Sequence, residues 1–154
     1  LNTGRPLKEG KWFSKFTSNY LDIDNDPLYP FGYGLSYTTF KYGKPTLSSN
    51  TMTNNETISV SVDITNTGNY DADEIAQMYI RDLAASVSRP VKELKGFERI
   101  SIKKGETKTV TFTITPEDLK FYNQELEYKN EPGEFEVMVG PNSKDVQTLT
   151  FTLK

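Results

Sequence analysis

The run Thr57-Ile58-Ser59-Val60-Ser61-Val62-Asp63-Ile64-Thr65-Asn66 decides the fold. Successive side chains of a strand point to opposite faces, so Ile58, Val60, Val62 and Ile64 share one side and Ser59, Ser61, Asp63 and Thr65 the other. The alternation predicts a half-buried strand over 57–66, ended by the turn Asn66-Thr67-Gly68-Asn69. Downstream, residues 108–114 repeat the pattern, with Val110, Phe112 and Ile114 inward and Thr107, Thr109, Thr111 and Thr113 outward. Between them, residues 74–81 are apolar on both faces (Ile75, Ala76, Met78, Tyr79, Ile80), which predicts a more central strand. Residues 91–102 continue as a strand interrupted by Gly96, and Lys103-Lys104-Gly105-Glu106 forms the next turn.

Further along, Thr115-Pro116-Glu117-Asp118 signals one helical turn, with Thr115 as N-cap, Pro116 at N1 and Asp118 at N3. Residues 126–129 predict a short strand leading to the turn Asn130-Glu131-Pro132-Gly133. Phe135, Val137 and Val139 alternate within 134–140. Leu149, Phe151 and Leu153 do so after the turn Pro141-Asn142-Ser143. Seven or eight short strands with regular turns and no sustained helical period predict an all-β, antiparallel sandwich. A parallel sheet would need crossover helices of about a dozen residues, and none is written here.

Upstream, residues 1–37 follow another rule. Trp12, Phe13, Phe16, Tyr20, Tyr29, Phe31, Tyr33 and Tyr37 recur with neither strand nor helix period, broken by Pro6, Pro27, Pro30, Gly4, Gly10, Gly32 and Gly34. Of the chain's 19 aromatic residues, 10 lie within the first 42. The stretch is an irregular, aromatic-rich leader over 1–37, followed by the sandwich over 38–154. So many rings without regular structure need a surface to bury them. Either the sandwich supplies it, or something outside this chain does. Residues 1–27 are expected to be poorly packed in isolation, with Trp12 and Phe13 exposed.

Composition removes several kinds of chemistry. The 154 residues include no cysteine, hence no disulfide, thiolate metal site or cysteine nucleophile. They include no histidine, hence no Ser-His-Asp triad and none of the commonest metal ligand. The formal charge is −3, and the 18 basic residues form no stripe of the kind nucleic acid requires. No apolar run approaches the ~18 residues of a membrane span. The chain opens on Leu1 with no signal-like segment, and is expected to be a mature product or a piece of a longer protein.

Carboxylates remain as candidates. Asp22-Ile23-Asp24-Asn25-Asp26 starts like a calcium loop, but Pro27 stands where an EF-hand needs glycine and Tyr33 where it needs a bidentate glutamate. A solvated acidic turn is the expectation, with no metal and no cofactor. The pairs Asp71/Asp73, Glu117/Asp118, Glu125/Glu127 and Glu134/Glu136 fall in turns or at outward positions. There, nothing would raise one carboxyl to serve as the acid of a glycosidase pair. No catalytic residue is expected. Lys92, Lys95, Lys103, Lys104 and Lys108 are interspersed with Glu93, Glu98 and Glu106, as on a solvated edge.

One segment is recognisable. Leu28-Tyr29-Pro30-Phe31-Gly32-Tyr33-Gly34-Leu35-Ser36-Tyr37-Thr38-Thr39-Phe40 resembles the junction that opens the C-terminal fibronectin type III-like domain of glycoside hydrolase family 3, which includes β-glucosidases and β-xylosidases. Asn66-Thr67-Gly68 with Asp73 through Ile80, Arg89 through Phe97, and Gly133 through Gly140 are similar to that domain's later motifs, in the same order. Asn2-Thr3-Gly4-Arg5-Pro6 resembles the end of the α/β domain that precedes it.

The resemblance implies an immunoglobulin/fibronectin type III-like sandwich. It also implies that the catalytic aspartate and glutamate belong to domains upstream of this chain. Tyr29, Pro30, Phe31, Gly32, Tyr33, Gly34, Leu35, Ser36 and Tyr37 would then form the contact with those domains. Gly32 and Gly34 would permit a tight turn, and Phe31, Tyr33 and Tyr37 would supply the cementing rings. The implied partners are the upstream catalytic domains, a β-linked oligosaccharide at the parent's site and a homodimer of the parent; the implied location is periplasmic or secreted. Three other roles remain: a carbohydrate- or surface-binding module with coplanar exposed rings, an independent hydrolase, and an adhesion domain of the same fold.

Overall fold

The computed structural model describes residues 27–154. The leader aromatics Trp12, Phe13, Phe16 and Tyr20, the acidic run at 22–26 and the motif at 2–6 lie outside the described residues.

Two sheets face each other. The first is built around β4 (Ile58–Asn66), the strand that the alternation predicts, paired antiparallel along its length with β7 (Thr107–Ile114). Its other side carries β1 (Phe40–Tyr42) and β2 (Thr46–Leu47), two pieces separated by Gly43-Lys44-Pro45. The second sheet runs in the order β3 (Thr51–Met52), β11 (Gln147–Leu153), β10 (Gly133–Gly140), β5 (Ala72–Asp82) and β6 (Glu93–Ile102). A hairpin of β8 (Phe121–Tyr122) and β9 (Tyr128–Lys129) stands apart. Seven of these strands hold three or more residues, in agreement with the turn spacing.

The core lies between the sheets. Ile58, Val60, Val62 and Ile64 meet Phe135, Val137, Val139, Phe151 and Leu153, all buried, with the Phe135 and Phe151 rings stacked at 5.5 Å. Each such apolar side chain contributes about 1.5–3 kcal/mol on leaving water. Across one margin of the sandwich, the Tyr42 hydroxyl on β1 donates to Glu74 Oε1 on β5 at 2.8 Å and ties the two sheets together.

The structure corrects four local expectations. Pairing is antiparallel except between β3 and β11, which run parallel through two residue pairs where the chain crosses from one sheet to the other. β6 begins at Glu93 rather than residue 91, because Pro90 lacks an amide hydrogen and Val91 and Lys92 turn towards the 141–146 loop. The helical turn is a 3₁₀ turn, Pro116–Leu119; Thr115, Pro116 and Asp118 take the expected N-cap, N1 and N3 positions, and the Asp118 carboxylate accepts from both the amide and the hydroxyl of Thr115, at 2.8 and 2.7 Å. The strand expected over 126–129 shrinks to β9, since Leu126 sits in a left-handed turn with φ 60°. Within this chain Gly34 faces open space, so the sandwich itself makes no close approach there.

Candidate functional site

The leader meets the sandwich on the outer face of the five-stranded sheet. Residues 30–33 make a type II turn, in which the Tyr33 amide donates to Pro30 O at 3.0 Å and Gly32, at the third position, has φ +80°. A β-carbon on Gly32 would also collide with the amide of Gln77, so this position is closed to other residues twice over.

Gln77 holds the turn. Its Nε2 donates to Gly32 O at 3.1 Å and to Pro141 O at 2.6 Å, and its Oε1 accepts from the Tyr79 hydroxyl. The Ser143 amide donates to Phe31 O at 2.9 Å, while Lys92 Nζ donates to Ser143 O. Gln77 and Tyr79 are buried on a face that would be solvent-exposed in a bare sheet, as is Met138 beside Tyr79. That is why the strand read as apolar on both sides. The lone glutamine within Ile75-Ala76-Gln77-Met78-Tyr79-Ile80, which belongs to the motif the resemblance picks out, is the signal for a buried polar anchor, a role the motif alone does not supply. Burial pushes the Tyr79 hydroxyl up and the Lys92 ammonium down, Lys92 being opposed by the Glu136 charge and seconded by Arg81.

The backbone of the turn is pinned, but its rings are not covered. Phe31 is 66% exposed, Tyr33 44% and Tyr37 96%, and Leu28, Tyr29 and Leu35 are exposed as well. The structure thus brings Tyr29, Pro30, Phe31, Gly32 and Tyr33 together, with the Tyr29 and Tyr33 rings 5.2 Å apart. Gly34, Leu35 and Tyr37 run on beyond the turn; the Ser36 hydroxyl accepts from the Thr38 amide at 3.3 Å. Strand register places Phe97 opposite Gln77 and Leu94 opposite Tyr79, both also exposed. A groove of about 550 Å³ lies between leader and sheet, walled by Pro27, Pro30, Phe31 and Leu94, with Lys92 and Lys144 lining it as well. The whole is an apolar face with rigid backing, the kind of surface that partners cover.

Among the described residues, the Tyr29–Tyr33 planes on this face are inclined at 37° and the Tyr122–Tyr128 planes of the separate β8–β9 hairpin at 45°, neither of them the coplanar arrangement that the binding-module reading expects.

The carboxylate pairs singled out in the sequence are tied into local bonds. Asp73 is held below the usual carboxylate range by Ser101 and Arg99, Glu127 by Lys129 and Asn123. Glu117 pairs with Lys120, and Glu136 with Arg81. Burial raises two other carboxyls, Glu74 and Asp82, but they stand eight positions apart on β5, about 26 Å. That separation is far beyond the ~5–9.5 Å of a glycosidase pair. Among the described residues, no group of three or more acidic side chains is placed to hold a metal, and no helix is long and apolar enough to cross a membrane.

Comparisons with known proteins converge on one family. Residues 74–143 match the family model of the fibronectin type III-like domain. A periplasmic β-glucosidase of Salmonella typhimurium is 53% identical over 153 residues, covering 99% of this chain and 20% of that protein. A β-xylosidase of Formosa agariphila is 52% identical over 137 residues, covering 88% of this chain and 19% of its own length. In the crystal structure of β-glucosidase from Listeria innocua in complex with isofagomine, 21% of the chain superposes on 99% of this one, with TM-score 0.88 and 43% identity. The chain therefore spans about a fifth of the length of the relatives it matches. The order of its motifs, its sandwich and these matches agree: the chain belongs to the fibronectin type III-like domains of glycoside hydrolase family 3.

Proposed function

We propose that this chain is the non-catalytic, C-terminal module of an exo-acting β-glycosidase, and that its leader face packs against the catalytic domains of the same polypeptide. The parent enzyme releases terminal glucose or xylose from β-linked oligosaccharides by a retaining double displacement, and the module scaffolds it. The observation that carries this reading is the leader turn. Gln77 and Ser143 fix its backbone, while Phe31, Tyr33 and Tyr37 remain exposed, Phe31 sharing a groove with Leu94. A rigid frame presenting uncovered rings is a contact awaiting its other half. The names of the relatives supply the activity: one is a β-glucosidase, the other a β-xylosidase. The word periplasmic in the first name supports a periplasmic or secreted parent. The drop in exposure from Tyr37 to Thr38, which is 9% exposed, supports a boundary at 37/38 between leader and sandwich.

The test compares the chain with its full-length parent. In the isolated chain, the double substitution Phe31→Ser, Tyr33→Ser is expected to cost no more than about 2 kcal/mol, since the rings are 66% and 44% exposed. In the parent it lowers Tm and opens the leader to protease. A chromogenic β-glucoside or β-xyloside is hydrolysed by the parent and not, above background, by the chain. Equal effects of the substitutions in both proteins, or turnover by the chain alone, would sink the reading.

A further inference from the structure

The β8–β9 hairpin carries a leucine in a position that penalises it twice. Leu126 has φ 60°, the one non-glycine residue with positive φ among the described residues, and it is 80% exposed. Left-handed backbone crowds a β-carbon, and a large apolar side chain gains nothing from water. Asparagine would tolerate the backbone better and expose no apolar surface. The loop does not need leucine for its shape. Asn123 supplies that: its Oδ1 accepts from the amides of Glu125 and Glu127 at 3.0 and 2.9 Å, and its carbonyl accepts from the Leu126 amide at 3.2 Å.

The surroundings make a rigid knob. Tyr122 and Tyr128 flank the tip with rings 5.0 Å apart, both more than half exposed. Phe121 is buried beneath the Arg89 guanidinium at 4.6 Å, and Gln124 Nε2 donates to Ser86 O at 3.2 Å, so the hairpin is fastened to the module. Glu125, Glu127 and Glu131 lie around Lys129, which pairs with Glu127, while Lys120 pairs with Glu117 and Arg89 with Glu93, so carboxylates outnumber cations around the hairpin and collar it. The collar repels a second acidic copy and favours a basic rim.

We propose that the Leu126 knob, with Tyr122 and Tyr128, docks into an apolar, basic-rimmed pocket on the remaining polypeptide of the parent enzyme, as a second contact separate from the leader face. This inference rests on the reading of the chain as a module. The relatives are about five times its length, so that remaining polypeptide is the protein surface tethered nearest to the hairpin, at high effective concentration. Burial there compensates both penalties on Leu126.

Amide hydrogen exchange over residues 122–128 in the 154-residue chain and in the full-length parent tests it, with Leu126→Asn made in each. Exchange is expected to be slower in the parent by on the order of tenfold or more. Leu126→Asn should abolish that slowing and lower the parent's Tm, yet leave the Tm of the chain unchanged or higher. Equal protection in both proteins overturns the proposal, as does an equal fall in Tm in both. A dimer of the chain that Leu126→Asn dissolves also overturns it, because the knob then belongs to a second copy. Should the leader substitutions still separate chain from parent while the hairpin shows no protection, only this inference falls. Should neither do so, the module reading falls first.

Discussion

The outer face of the β4–β7 sheet is finished with hydroxyls: Ser61 bonds Thr111 at 2.8 Å, Thr65 bonds Thr107 at 2.8 Å, and Thr109 donates to Asp63. The outer face of the five-stranded sheet instead buries Gln77, Tyr79 and Met138 under a partial cover and leaves Leu94, Phe97 and the leader rings exposed. Both faces obey the same two-residue pleat, and both back onto the same core. The difference is one of completion. Polar groups that pair with each other and with water need no further partner, whereas exposed rings lose contact with water only when another surface arrives. On the reading proposed above, the hydroxyl face is the free side of the module and the aromatic face the side that joins the rest of the parent.

Removing the anchor breaks the comparison most severely. Gln77→Ala leaves the carbonyls of Gly32 and Pro141 and the Tyr79 hydroxyl without their buried partner. Unsatisfied buried groups cost roughly 1–3 kcal/mol each, moderated where water can enter, so a loss of about 3 kcal/mol is expected in urea denaturation. The leader should also become sensitive to protease over residues 28–37 while the β4–β7 ladder keeps its slow amide exchange. A leader that stays resistant would show that Gln77 does not hold it.

Much of the fold was legible because the physics was local. Ile58 through Asn66 alternates without interruption, and the strand follows it, starting one residue later than the expected 57. The first of the later motifs, Asn66-Thr67-Gly68, also gains a cause. Asn66 is fully buried, its Nδ2 donates to the carbonyls of Tyr70 and Ile102, and its Oδ1 accepts from Thr38 and Gly68. Gly68 packs so closely on Thr38 that a β-carbon would collide with it. What escaped was nonlocal. β2 and β3 are two-residue ladders with no period to detect, and the use of Gln77 depends on Gly32 and Pro141, 45 and 64 positions away. The leader segment could be singled out by its rings and glycines, but which of them touch the sandwich depended on the turn. The turn itself requires Gly32, whereas nothing within this chain crowds Gly34.

A smaller effect separates the margins of the sandwich by pH. Burial raises the Glu74 carboxyl above its ordinary 4.5, partly offset by the bonds from Tyr42 and the Ile75 amide. Burial first, then the Glu74 charge and their hydrogen bond, also raises the Tyr42 hydroxyl, which stays protonated and donating. A raised carboxyl means that the folded chain binds this proton more tightly than the unfolded one. Its contribution to stability therefore falls as pH rises from 4.5 to the folded value, and is flat above that. Glu74→Gln retains an acceptor for Tyr42 and removes the charge. It is expected to flatten that slope and to leave the chain as stable or more stable at neutral pH, in urea titrations taken across the pH range. A variant that keeps the wild-type slope would place the titration elsewhere.

The smallest effect belongs to the finished face, and it is the sharpest check on the contrast. Ser61 and Thr111 are directly paired on β4 and β7, and their hydroxyls bond across the ladder in an exposed setting. Each hydroxyl freed by Ser61→Ala or Thr111→Ala can bond water instead, so each substitution should cost no more than about 0.5 kcal/mol. Their coupling in a double-mutant cycle should be of the same small size. That outcome is what self-sufficiency means in energetic terms: the ladder saturates its groups without depending on them. A coupling above ~1 kcal/mol would mean that the hydroxyls are shielded from water and act as a packed network. The β4–β7 face would then resemble the Gln77 anchor, and exposed rings alone would no longer distinguish the joining side of the module from the free one.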